Sequence, residues 1–512
     1  MKFHAEARRD RYDAVVVGAG MGGLTAAALL ARAGRRVLLV ERHDRVGGYA
    51  HAFRRGRYLF DSAVHVVGGC EPGAFEGGGL VHRLLEALEV RDLCHFERID
   101  PFYTAVYPGT SLRAPCDLEE FVAVHAEEFP GEEKALRQVL GECLAIRQEV
   151  GRAGELESAF EVIRARSRFP TLLRYRRATL AEVLDEHLES PELKALLGTP
   201  WPYLGLPPSR VSFLYFATML MSYVADGAYY CRGSFQRLAN SLASALEARG
   251  GELLLRSPVR RIAVEGGRVR GVVLENGQRI EAPLVLSNAD ATQTVLELVG
   301  SEAFPADYLE ALRRLRPSVS AFVVYLAAEL ELCPESASHE TFLYPGFDHD
   351  ASFAAGGRGE AGWLSVTIPT LADPGLAPAG THLLVLTTLV PPDAVASWRE
   401  AKEEVTRELL ERASRHFPGL AARARLVEGA TPRTMERYTR NSGGACYGFE
   451  LTPRQVGPGR LSGQTPVAGL HLVGHWTQPG GGITGVVTSG VLAARAALGC
   501  ANEAGLWRAL AR

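Results

Sequence analysis

The stretch 13–48 restricts this chain more than any other. It reads Asp13-Ala-Val-Val-Val, then Gly18-Ala-Gly20-Met21-Gly22-Gly23-Leu, then an Ala/Leu-rich segment. Val37-Leu-Leu-Val40-Glu41 follows, and Arg45-Val-Gly47-Gly48 closes it. The pattern predicts a strand, a tight turn, a helix and a second strand ending on an acid. Gly18 permits the sharp turn, Gly20 lets the backbone approach a pyrophosphate, and Gly23 lets the helix pack close to the strand. The helix N-terminus then faces the phosphates with free N–H groups and a positive dipole end. Glu41 stands where a carboxylate accepts hydrogen bonds from a ribose 2′-OH and disfavours a 2′-phosphate. A mere glycine-rich turn would leave Glu41 and the pair Gly47-Gly48 unexplained.

That second glycine pair moves the expectation from NAD to FAD. With Gly18, Gly20, Gly23, Glu41, Arg45, Gly47 and Gly48 in place, the sequence resembles the flavoprotein superfamily of amine oxidases and carotenoid desaturases. Phe53-Arg-Arg-Gly56-Arg-Tyr-Leu-Phe60-Asp61 is similar to the stretch beside the flavin in phytoene desaturases, carotenoid isomerases and retinol saturases. His65 resembles a histidine of the saturase and isomerase branch, as does the strand start Gly380-Thr-His382. The resemblance implies an α/β, two-domain FAD-binding fold of Rossmann type (GR2-like) with an inserted α+β substrate domain. It implies cofactor contacts at Gly18, Gly20, Met21, Gly22, Gly23, Glu41, Arg42, Arg45, Gly47 and Gly48. Further contacts are implied at Val259 (through its backbone), Asn288, Gly474, His475, Gly482, Ile483 and Thr484.

A chain of 512 residues exceeds a single core, so two domains are expected. The expected division is an FAD domain in three pieces, 1–70, 229–290 and 426–512. A substrate domain fills 71–228, mostly helical, and 291–425, sheet plus helices. Within the FAD pieces, a helix is predicted over 234–249, strands over 252–256, 258–264, 268–274 and 279–286, and a helix from 483 to 498. In the second insert, strands are predicted at 319–328, 363–369 and 382–390. The last FAD segment departs from the family: the common Gly-Asp is here Gly474-His475. His475 either holds the ribityl chain as a neutral donor or faces substrate.

A net charge of −3 implies no attraction to nucleic acid. The eight cysteines are scattered without a CxxC pair, which favours reduced thiols over a disulfide frame or zinc site. The segment before the first strand is charged rather than apolar, so a cytoplasmic location is expected. The Arg-over-Lys and Ala/Gly bias suggests a bacterial source. Six arginines (164, 166, 168, 174, 176 and 177) lie in a span, 162–180, that lacks acids and interleaves apolar residues. Such a span suits either a solvated face or peripheral contact with a membrane surface.

Residues 211–224 form the most apolar run and are too short to cross a bilayer. They suit a core helix or the wall of an apolar tunnel, and the resemblance favours the tunnel. No metal-ligand spacing, nucleophile elbow or carboxylate pair stands out, as expected if a flavin carries the chemistry. The implied reaction is saturation, desaturation or redox-assisted isomerisation at C=C bonds of a long hydrophobic polyene of carotenoid, retinoid or polyketide type. NAD(P)H or a quinone is the expected redox partner. Proton-donor candidates are His65, Tyr229, Tyr230 and His475, each of which also reads as a structural residue. Two other activities compete. A flavin amine oxidase would need an aromatic cage, to which Trp476 and Tyr447 are candidates. A prenyl-lipid binder of the GDP-dissociation-inhibitor type would not need the intact glycine fingerprint.

Overall fold

Ala14–Val17 is buried on both faces because it lies at the centre of a five-stranded parallel sheet. The computed structural model, which describes residues 6–72, 79–153, 164, 166–333 and 337–511, orders this sheet as Glu252–Leu254, Val37–Val40, Ala14–Val17, Val285–Ser287 and Leu470–Leu472. A parallel sheet requires cover on both sides. Ala14, Val16, Leu39 and Leu286 face the helices Met21–Arg32, Phe235–Ala248 and Ile483–Ala497. Val15, Val17, Leu38 and Val285 face the antiparallel sheet Val259–Glu265, Arg268–Leu274 and Arg279–Glu281. The run predicted at 279–286 therefore divides at Ala282-Pro283 between two sheets. Proline lacks the N–H a continuous strand would use.

The second large sheet has seven strands in the order Ala424–Ala430, Ser320–Ala328, His382–Val390, Leu364–Thr367, Glu340–Leu343, Tyr103–Tyr107 and Thr110–Ala114. All neighbours are antiparallel except Glu340–Leu343 beside Tyr103–Tyr107. Its edge strand runs past the boundary expected at 425, up to Ala430. Alternation divides its side chains. Phe322, Val324, Leu386 and Val366 pack under Leu409 and Val405 of the helix Trp398–His416. Ala321, Val323, Phe342 and Val385 point the other way, into an internal cavity.

The apolar run at 211–224 forms the helix Phe213–Val224. Phe213, Phe216, Leu220 and Met221 are core residues, whereas Tyr223 faces the cavity. The helix is thus mainly a core element, and among its residues Tyr223 alone reaches the cavity. Residues 53–61 form a hairpin, Ala52–Arg55 and Tyr58–Asp61. Of the basic span, residues 162, 163 and 165 lie outside the described residues. Arg166, Arg168, Arg176 and Arg177 are exposed, and Arg174 pairs with Glu142 and Glu186. Among the described residues no helix is long and apolar enough to cross a membrane.

Candidate functional site

Two glycine turns are pinned together at one end of the cavity. Gly47 donates its N–H to the Ala19 carbonyl at 2.8 Å, and a Cβ on Gly48 would stand 3.1 Å from the Gly20 Cα. Gly18, at φ +94°, makes the bend that any other residue would resist. The helix that follows starts on Gly20 with no side-chain cap. A second uncapped helix start, Gly482 before Ile483–Ala497, lines the same cavity, and a Cβ there would meet open space. Uncapped N–H groups and positive dipole ends from two helices suit a pyrophosphate. The chain therefore provides a fitting cradle for the diphosphate of FAD.

Asn288 holds this arrangement together. Its Oδ1 accepts the Gly23 N–H at 3.1 Å. Added Cβ atoms at Gly20, Gly22 and Gly474 would lie 2.6, 2.9 and 2.5 Å from its amide. Glu41 accepts the N–H groups of Ala19 at 2.7 Å and His43 at 2.8 Å. Met21, Arg42, Arg45, Gly47, Gly48 and Val259 also line the cavity. Arg42 donates to the Arg437 carbonyl at 2.7 Å, while Arg45 donates to that of Ala52 at 2.7 Å. These two guanidiniums shape the loop around the cradle. Gly23 and Thr484 are not among the lining residues. Gly23 instead sits against the Gly18 carbonyl, as expected for the close packing of helix on strand.

Histidines also line the cavity. His65 and His475 both line it, and burial pushes each imidazole down to about 3, so both are neutral at ordinary pH. His51, which sequence reasoning missed, also lines it. Its Nδ1 lies 2.7 Å from the Gly48 carbonyl and 3.1 Å from Ser62 Oγ, and burial lowers it to about 4. Its place just after Gly47-Gly48 was the available signal. Two of the expected proton donors lie elsewhere. Tyr230 and Tyr229 are absent from the cavity lining, and the Tyr230 hydroxyl donates to Asp61 Oδ2 at 2.5 Å. Strand Ala228–Cys231 turns Tyr230 towards the hairpin carrying Asp61, where it supports a buried carboxyl.

The proposed aromatic cage does not form. Trp476 is buried, donates to Asn441 Oδ1 at 2.9 Å and packs edge-on against Phe449. Only Tyr447 of that pair lines the cavity. Behind it lies Arg460, a buried guanidinium that donates to the carbonyls of Thr477, Phe449, Glu450, Gln455, Tyr447 and His475. Burial draws its pKa down to about 10. No motif announces Arg460, because its partners are backbone carbonyls contributed by tertiary folding.

Beyond the histidines the cavity becomes apolar and aromatic, between Tyr203, Tyr223, Phe342, Trp363 and Val385. The whole space measures about 720 Å³ and is continuous from the glycine cradle to the face of the seven-stranded sheet.

Residues 21–498 match the family model described as "Flavin containing amine oxidoreductase". The chain is 27% identical to all-trans-retinol 13,14-reductase of Rattus norvegicus, with 91% of this chain and 82% of that protein covered. It is 29% identical to the chloroplastic prolycopene isomerase 1 of an Oncidium hybrid cultivar, covering 95% and 83% respectively. In three dimensions it is similar to an oxidoreductase from Methanosarcina mazei, with a TM-score of 0.64 at 20% identity over 94% of this chain and 99% of that one.

Proposed function

Since this chain belongs to the flavin-containing amine oxidoreductase family, we propose that it is an FAD-dependent oxidoreductase acting on C=C bonds of a long hydrophobic polyene of carotenoid, retinoid or polyketide type. The single observation that carries this reading is the continuity of the cavity. One end is a diphosphate cradle, and the other is an aromatic and aliphatic chamber on the inner sheet face. An extended apolar molecule in the chamber shares one continuous space with His65 and His475, which line the same cavity. Relatives named for a retinol reductase and a prolycopene isomerase support the polyene class.

Bound flavin supplies hydride and electron transfer. The protein's own groups bind, orient and exclude water. Tyr223 and Phe342 wall the chamber, and burial keeps the two histidines neutral. A neutral imidazole holds one ring N–H, so each offers a hydrogen bond from one nitrogen without bringing a charge into an apolar space. NAD(P)H or a quinone is the proposed redox partner. The exposed arginines at 166, 168, 176 and 177 support peripheral contact with anionic lipid, the source of an apolar substrate. Amine oxidation is disfavoured by Trp476, which packs away from the cavity.

The test is the visible spectrum of the purified protein, repeated anaerobically with NADPH and a polyene such as retinol or a carotenoid. A yellow protein that consumes polyene absorbance behaves as a saturase. Red-shifted polyene absorbance with flavin bleaching and no NADPH marks a desaturase, and a shifted isomer ratio without net redox change marks an isomerase. A colourless protein that takes up no FAD would defeat the proposal and favour a lipid binder.

A further inference from the structure

Residues 62–66 line the cavity yet belong to no strand or helix. Two side chains from the seven-stranded sheet hold this segment by its carbonyls. The Tyr325 hydroxyl donates to the Ser62 carbonyl, and His339 Nε2 lies 2.8 Å from that of His65. Tyr325 stands on Ser320–Ala328 in line with the cavity-lining Ala321 and Val323. Its ring is set edge-on against Phe53 and Phe60 of the hairpin, at 4.9 and 5.7 Å. His339 directly precedes the strand Glu340–Leu343, whose Phe342 lines the chamber. The Ile368 N–H pins the carbonyl of His339 at 2.8 Å. The His65 imidazole makes no hydrogen bond among the described residues, so its backbone sets its place in the cavity.

A carbonyl only accepts, so His339 carries its hydrogen on Nε2. The other nitrogen, Nδ1, is buried without a partner, and the ring packs on that of Tyr230 at 5.6 Å. A hydrocarbon side chain would fill this space without leaving a buried nitrogen unpaired, so the bond to His65 is what the imidazole adds. We propose that His339 is a positioning residue: it holds residues 62–66 to the sheet and fixes where the His65 imidazole stands relative to Phe342. The tether is independent of the substrate, whereas what the imidazole meets rests on the polyene reading. His339 and Phe342 are three residues apart, so one sheet-bound segment sets both the chamber wall and the place of His65. An apolar chain lying against Phe342 is thereby brought into a fixed register with the imidazole, and that register selects which of its C=C bonds the imidazole meets.

The purified holoprotein is treated with diethyl pyrocarbonate, which carbethoxylates neutral imidazoles, and peptide mass spectrometry reads His65 against His475 in the same sample. Wild type, His339→Gln, His339→Leu and Tyr325→Phe are compared, with flavin content and melting temperature confirming each fold. Without its tether, His65 in His339→Leu should react roughly two- to tenfold faster relative to His475. His339→Gln, whose amide N–H takes the place of Nε2–H, should stay near the wild-type ratio, and Tyr325→Phe should raise it. A lowered melting temperature with an unchanged ratio in His339→Leu overturns the proposal, because a merely structural role moves the first alone. An equal rise in His339→Gln and His339→Leu also overturns it, in favour of ring packing on Tyr230. Retinol, added as the polyene probe, should slow the reaction of His65 in the wild type and less so in His339→Leu. Equal protection in both overturns the register between Phe342 and His65. Absence of protection in the wild type defeats the polyene reading and leaves the tether to be decided by the ratios. Should His339→Leu not fold, His339→Phe, which keeps a ring but no donor, takes its place.

Discussion

The Glu41 carboxylate accepts the backbone N–H of Ala19 at 2.7 Å. The acid that ends the second strand thus props the glycine turn that follows the first. It is held from the other side by the His43 N–H at 2.8 Å.

Removing this carboxylate loosens the turn that forms the glycine cradle. Hydrogen bonds to a charged group contribute about 1.5–3 kcal/mol. Glu41→Ala is therefore expected to weaken FAD binding roughly 10- to 100-fold, with Glu41→Gln less affected. Flavin passing through an ultrafiltration membrane measures it, and unchanged retention would remove Glu41 from the cradle.

Two glycine substitutions should separate cofactor binding from folding. A Cβ on Gly20 meets the movable amide of Asn288 at 2.6 Å, whereas one on Gly23 meets the Gly18 backbone carbonyl at 2.1 Å. Gly20→Val should yield a folded, colourless protein, because the side chain blocks approach of the diphosphate. Gly23→Ala should lower thermal stability by a few kcal/mol, because the backbone must shift. A yellow Gly20→Val protein would contradict the cofactor assignment.

Tyr230 and His475, expected from sequence to be comparable proton donors, should now behave differently. Tyr230→Phe leaves Asp61 Oδ2 without its partner and should cost about 1–3 kcal/mol in denaturant unfolding. Turnover per bound flavin should hardly change. His475→Ala alters a group on the cavity wall and should change turnover or product pattern. Equal loss of turnover in both variants would return Tyr230 to the chemistry.

Arg460 ties six carbonyls of the loops around His475 and Tyr447. Arg460→Met strands them in the interior. Stability should fall by about 3 kcal/mol or more, with flavin retention falling in parallel. Wild-type stability in urea would show that water replaces the guanidinium.

Glu340 makes stability depend on pH in a stated direction. Its folded pKa of about 7 lies above the usual 4.5. Its contribution is thus fully present below 4.5 and is lost as pH rises through 7. Glu340→Gln has no such group, so its stability relative to wild type should improve between pH 5 and pH 8, on the order of 2–3 kcal/mol. Thermal melts of both proteins across that range measure it, and a constant difference would mean the carboxyl is already ionised at pH 5.

The cradle was legible because its causes are local. Gly18, Gly20, Glu41 and Gly47 all lie between positions 18 and 47, and strand, turn and helix follow from periodicity and glycine placement. The strands Ser320–Ala328 and His382–Val390 were legible for the same reason, as apolar runs of strand length. The fold class followed from them together with the family resemblance.

The chamber was not legible. Tyr203 lies in a short turn after Pro200, and Glu340 reads as one acid among many. Register decides their neighbours: Glu340 stands opposite Thr367, and Phe342 opposite Ser365 and Ala105, only because that strand pairs with Leu364–Thr367 and Tyr103–Tyr107 in one particular alignment. Tyr230 illustrates the same limit in reverse, since only the pairing of its strand decides that it meets Asp61 rather than the cavity. The sequence by itself determined the nucleotide clamp, because backbone geometry within a few residues dictates it. Tertiary structure alone decided what the clamp faces, because the side chains that meet there are hundreds of positions apart and converge through sheet register and burial.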